Sequence, residues 1–146
     1  RSACDKRGLT RLNIQKLKFY VNLNRRHPLL QKPHFDFYRL RDYPFVDYGE
    51  KVLTTHMGLT HLDIIDPTKR ILVGERDTRC YIVSLSNAFS ISAGIHPRVS
   101  ERYDWVNIPL PGIESQMTAV WRSDQRQSQE AKRYLALLQE EIVKVT

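Results

Sequence analysis

Two cysteines in 146 residues, Cys4 and Cys80, leave no room for a disulfide framework, and nothing resembling a Cys-x-x-Cys pair is present. Cys80 sits in an apolar setting, where a buried thiol in a reducing cytoplasm is the expected state. The six glycines are scattered, so the chain lacks the Gly-x-Gly and Gly-Lys-Ser loops that cradle phosphates. It also lacks the Gly-x-Ser-x-Gly elbow of serine hydrolases. No apolar run approaches the ~20 residues of a membrane span, and no signal-peptide core opens the sequence. His27, His34, His56, His61 and His96 do not form a ligand set. His56 and His61 are five apart, which does not put them on one helical face, and no cysteine or carboxylate completes either. Asp63 and Asp66 could pair for acid–base work, but Asp66-Pro67 is ordinary turn chemistry. The expectation is no enzyme, no catalytic residues, no cofactor and no metal.

What is present is the composition of a folded protein, 41% hydrophobic and 27% charged. Its net charge of +7 is uneven. Residues 1–41 carry 11 Lys/Arg against only Asp5 and Asp36, whereas the remainder is slightly acidic. Such a segment is either a solvated face or a footprint for phosphate backbones. Its aromatics, Phe19, Tyr20, Phe35, Phe37 and Tyr38, fall in strand-like runs and read as core rather than as base-stacking platforms.

The stretch from Arg70 to Pro97 organises the chain. A short strand, Arg70 to Gly74, leads into a helix from Arg76 to Phe89, with Ile82, Leu85, Ala88 and Phe89 on one stripe, and then into a strand, Ser90 to Ile95. Asp77 is placed to cap the helix. A βαβ unit of this kind predicts a parallel sheet with ligands at the strand C-termini and helix N-termini. Residues 75–79 (Glu-Arg-Asp-Thr-Arg) therefore suit a small anion, through free backbone N–H groups, the Thr78 hydroxyl, and Arg76 or Arg79. The same residues also fit plain capping, with the arginines paired to Glu75 or solvent.

Around that unit, residues 1–16 are too polar to define an element. Leu17 to Leu23 is a strand closed by Asn24 to Pro28, Phe35 to Tyr43 shows alternating apolar positions, and Phe45 to Tyr48 is a short strand. Residues 50–65 read as a mixed amphipathic stretch. A polar connection after Pro97 precedes a strand at Asp104 to Leu110, a Pro111-Gly112 break and a strand at Gln116 to Trp121. The last helix carries Ala131, Tyr134, Leu135, Leu138, Ile142 and Val145 on one side.

In this order the motifs resemble the effector-sensing domain of LysR-type transcriptional regulators, from about Leu17 to the end. Phe19-Tyr20-Val21 to His27-Pro28-Leu29 is similar to that family's crossover into its second lobe, and Leu40-Arg41-Asp42-Tyr43-Pro44-Phe45-Val46 to its L-x-D-x-P-F-I/V segment. Ser84 to Pro97 resembles the family's Gly-x-Gly-Ile region, with Ser92 in place of one glycine. The run from Trp105 to Leu110, then Ala119 to Ser123 and the last helix, resembles its return path.

The resemblance implies an α/β, periplasmic-binding-protein-like (type 2) lobe with a parallel or mixed sheet, plus a fragment of a second lobe. Residues 1–16 would be an N-terminal remnant, 17–112 the second lobe of the effector-binding domain, and 113–146 the final strand and helix of the first. The helix-turn-helix and the rest of the first lobe would precede Arg1. It further implies a small, anionic metabolite in the inter-lobe cleft, contacted by Val46, Asp47, Tyr48, Asp77, Thr78 and Arg79, with Ser92 and Gly94 as further candidates. Partners would be that effector, DNA only through the absent head domain, and a second copy in a homo-oligomer, without membrane contact and in the cytoplasm. The alternatives are a free-standing solute-binding protein of the same fold and a small basic nucleic-acid-binding domain.

Overall fold

The structure, a computed structural model, describes residues 7–48 and 63–143. The amphipathic stretch expected at 50–65 thus lies largely outside the described residues, and so does Cys4.

A long first strand, β1 (Leu9–Asn24), is the spine, paired antiparallel with β4 (Ser90–Ala93) on one side and with β5 (Trp105–Arg122) on the other. β2 (Phe45–Tyr48) and β3 (Arg70–Val73) form a parallel pair. The two sheets meet beside Phe89: Val46 N donates to its carbonyl (2.8 Å) and its own N–H donates to Pro44 O (3.0 Å). The strands therefore run β3-β2-β4-β1-β5 in one mixed sheet. β3, helix α1 (Arg76–Leu85) and β4 form the expected crossover, with β2 between the two strands it links.

Each face of this sheet buries its own core. On one, Phe19, Val21 and Leu23 of β1, spaced by two as a strand requires, meet Phe45, Phe89 and Ile91. Leu29 and Leu40, from two short 3₁₀ helices (Pro28–Gln31 and Phe37–Asp42), close that layer. On the other, Cys80 and Val83 of α1 pack on Val46, Val73, Ala88, Tyr103 and Trp105. Cys80 is buried, as its setting predicts.

Several elements differ from the sequence expectations for identifiable reasons. Residues 9–16 are strand: hydrogen bonding to β5 holds them although no residue before Leu17 is buried among those described. The two strands expected on either side of Pro111-Gly112 are one strand, β5. The break survives as a register shift opposite Lys18 and Phe19, with Gly112 at φ +78°, where glycine has no Cβ penalty. α1 ends at Leu85 because Ser86 takes an extended backbone, its hydroxyl donating to Ile82 O (2.6 Å) and accepting from Ala88 N (3.1 Å). Asp77 does not cap it; Glu75 occupies that position without a side-chain bond. The alternating segment at 35–43 is largely 3₁₀ helix, begun by Asp36, whose carboxylate accepts from Tyr38 N (2.9 Å). The polar connection after Pro97 is a helix, α2 (Pro97–Arg102), capped by the His96 imidazole, which accepts from Arg98 N (3.2 Å). The last helix, α3 (Gln129–Ile142), forms over Ala131 to Ile142 of its expected stripe, capped by Ser128, with Val145 outside the described residues, yet none of its residues is buried.

Candidate functional site

Because β2, β3 and β4 run parallel, their C-terminal ends fall on one edge, which carries Tyr48, Gly74 and Gly94. α1 and α2 both start there, so their N-termini face the same edge. β1 runs against these strands. Its first half therefore rises off that edge together with the second half of β5, as a two-stranded ribbon.

A cavity of about 240 Å³ opens between α1, the end of β4 and α2. Arg76, Arg79 and Cys80 line it from α1, Ser92 to Ile95 from the end of β4, and His96 and Val99 from α2, with Trp105 from β5. Among the described residues, no carboxylate lines it. Arg79 is held from two sides: its guanidinium lies over the Tyr48 ring, 4.9 Å from the centroid, and Nη1 donates to Ile91 O (3.4 Å). Its Nε is buried and, alone among the buried side-chain nitrogens and oxygens described, meets no hydrogen-bond partner. An orphaned donor of this kind calls for an acceptor. Burial pushes the Cys80 thiol up, outweighing the neighbouring Arg79 and Arg76, so it stays protonated and contributes shape rather than a nucleophile.

The site residues expected from sequence are distributed unevenly. Arg79, Ser92 and Gly94 share the cavity. Tyr48 stands behind it as the ring under Arg79. Val46 is fully committed to the core, and Asp47 is buried in an ion pair with Arg70 while also accepting from Tyr48 N (2.8 Å). Asp77 accepts from the Tyr103 hydroxyl (3.3 Å), and Thr78 is exposed outside the cavity lining. Sequence reasoning omitted His96, Ile95, Val99 and Trp105. The His-Pro pair at 96–97 was the available signal, being a cap followed by the favoured first helical residue.

Behind Ser92 lies a buried polar chain. Asn22, fully buried on β1, accepts from both Ser92 Oγ (2.9 Å) and Ser90 Oγ (3.2 Å). Its Nδ2 donates to Asn107 Oδ1 (3.0 Å), and Asn107 Nδ2 donates to Ser100 Oγ (2.5 Å) on α2. The sheet, the cavity wall and α2 are thus tied together through β1 and β5. Among the described residues, no group of His, Cys, Asp and Glu could hold a metal ion, and no helix is long and apolar enough to cross a membrane.

No protein-family model matches the chain, and no curated protein matches it in sequence. Solved structures do. A transcriptional regulator from Vibrio parahaemolyticus, described as putative, matches with a TM-score of 0.69 at 17% identity, covering 94% of this chain and 66% of that one. The effector-binding domain of QuiR in complex with shikimate matches with a TM-score of 0.68 at 16% identity, over 98% of this chain and 69% of that one. The regulatory domain of MetR, a LysR family regulator from N. meningitidis, matches with a TM-score of 0.68 at 13% identity, over 99% and 68%. The chain thus has the fold of LysR-type regulatory domains, the type 2 periplasmic-binding-protein-like architecture expected from its motifs. It spans about two thirds of the length of these structures.

Proposed function

We propose that the chain is the effector-sensing part of a bacterial LysR-type transcription regulator, acting in the cytoplasm without catalysis. Its ligand is a small anionic metabolite at the edge where β2, β3 and β4 end. The observation that carries the reading is Arg79, whose buried Nε meets no partner and which lines, with Arg76 and His96, a cavity without a carboxylate among its described lining residues. Charge-assisted hydrogen bonds to a carboxylate or phosphate oxygen are the strongest this set can make. The Tyr48 ring and Ile91 carbonyl pre-position the guanidinium, which lowers the ordering cost of binding.

The ribbon gives the signal a way out. Residues 9–16, 111–122 and α3 contain no buried residue, although they carry Leu12, Met117, Trp121, Tyr134 and Leu137. This half-clad ribbon and helix belong, in this reading, to the first lobe, with residues 17–112 forming the second. A ligand bridging the lobes would change their relative orientation at the register shift near Gly112, and so the spacing of DNA-binding heads carried elsewhere in a homo-oligomer. DNA is contacted through those heads and not by this chain.

Trp105 lines the cavity and Trp121 is the second of the two tryptophans, so a Trp121→Phe variant isolates a reporter at the site. Titration with a panel of metabolite anions should change Trp105 fluorescence saturably for some members. No response to any anion, together with tight, salt-sensitive binding to DNA, would replace this reading with a nucleic-acid-binding one.

A further inference from the structure

We infer that the cavity selects acids that also carry a hydrogen-bond donor, a hydroxy or amino acid rather than a plain carboxylate, and that Ser92 is the selecting residue. The inference rests on the anion-binding reading of the same cavity and adds to it the second group of the ligand.

Ser92 lines the cavity, but its hydroxyl proton is already committed: it donates to Oδ1 of Asn22 at 2.9 Å. Asn22 is fully buried and each of its side-chain ends is engaged, Oδ1 by Ser92 and Ser90, Nδ2 by Asn107. Asn107 is fixed in turn by its own donation to Ser100. The chain of bonds therefore runs in one direction and holds the Ser92 proton away from the cavity. A serine has one proton and two lone pairs, so what Ser92 offers a ligand is acceptor capacity. The arginines across the cavity are donors only. Donors on one wall and an acceptor on the other match a ligand with an acidic group at one end and an O–H or N–H nearby. A carboxylate lacking that donor would leave the Ser92 oxygen desolvated and unpaired. Cys80, Val99 and Trp105 supply apolar wall for a short carbon skeleton between the two polar groups.

The test uses matched probes: 3-hydroxybutyrate against butyrate, malate against succinate, and mandelate against phenylacetate, each titrated into the Trp121→Phe protein and its Ser92→Ala and Ser92→Thr variants. The expected result is a preference of about tenfold for the hydroxy acid of at least one pair. That preference should vanish in Ser92→Ala and persist in Ser92→Thr, with thermal melting confirming that both variants fold. Equal binding of hydroxy and deoxy acids overturns the inference while leaving the anion site standing. A preference that survives Ser92→Ala also overturns it, by removing the choice from Ser92. Failure of all six acids to bind overturns both the inference and the anion-binding reading beneath it.

Discussion

The Arg79 guanidinium lies over Tyr48 with its central carbon 4.9 Å from the ring centroid, which joins the first turn of α1 to the end of β2. Contacts of this kind contribute about 0.5–1 kcal/mol where partly exposed. Tyr48→Leu should therefore change the melting temperature little. It should weaken anion binding several-fold, because Arg79 then samples more rotamers before it meets a ligand. Comparing the two effects in one variant, by thermal melting and calorimetry, separates positioning from folding.

Arg79 and Thr78 are neighbours with different prospects. Arg79→Ala removes the orphaned Nε and should lower affinity for an anionic probe by tenfold or more, the scale of one lost charge-assisted hydrogen bond. Thr78→Val should leave affinity unchanged, since Thr78 is exposed and does not line the cavity. Calorimetry on the two single variants decides which of them belongs to the site.

His27 makes stability depend on pH. It is fully buried: Nδ1 accepts from Leu29 N (3.2 Å), Nε2 engages Asn87 O (3.0 Å), and the ring packs on Tyr43. Burial lowers its pKa below the ordinary 6.5, more than the Asn87 contact raises it. The unfolded chain thus takes up a proton before the folded one does. Stability from this group is complete above pH 6.5 and is lost as pH falls through 6.5 towards the lower folded value. Urea midpoints between pH 7.5 and 5 should fall with acidification, and His27→Gln should flatten that slope.

Asp47 tests the β2–β3 pairing. Its side chain is 8% exposed against 34% for the paired Arg70, so the bond bridges interior and surface. Asp47→Ala should destabilise by about 1–3 kcal/mol, the cost of removing a hydrogen bond to a charged group. Asp47→Ala combined with Arg70→Met should recover part of that loss, because no unpaired guanidinium is left. Denaturant unfolding of the two singles and the double closes the cycle.

Much of the fold was legible because its signals are local. The βαβ crossover announced itself through the Ile82 stripe and the short β-branched runs, and α3 through its own period. What escaped depends on partners distant in sequence. Residues 9–16 form a strand only because β5 lies beside them, with Thr10 opposite Trp121 and Leu12 opposite Ala119. Proline and glycine at 111–112 read as an ending, yet in an antiparallel pair the same residues make a bulge. At the site, Arg79 was visible from its place in the first turn of α1. Its partnership with Tyr48, its orphaned Nε, and the commitment of the Ser92 proton to Asn22, seventy positions earlier, required the tertiary structure.

The most direct test of the account watches the Arg79 Nε–H itself. In a ¹⁵N-labelled chain its side-chain resonance can be assigned by loss in Arg79→Lys and followed while malate is titrated. An anion site at this edge predicts a saturable shift of that resonance, with little movement of Arg122 Nε–H, which already donates to Asp124 (3.0 Å). Shifts that are equal across the arginines and linear in malate, or an Arg79 signal that does not move, would contradict an anion site at this edge.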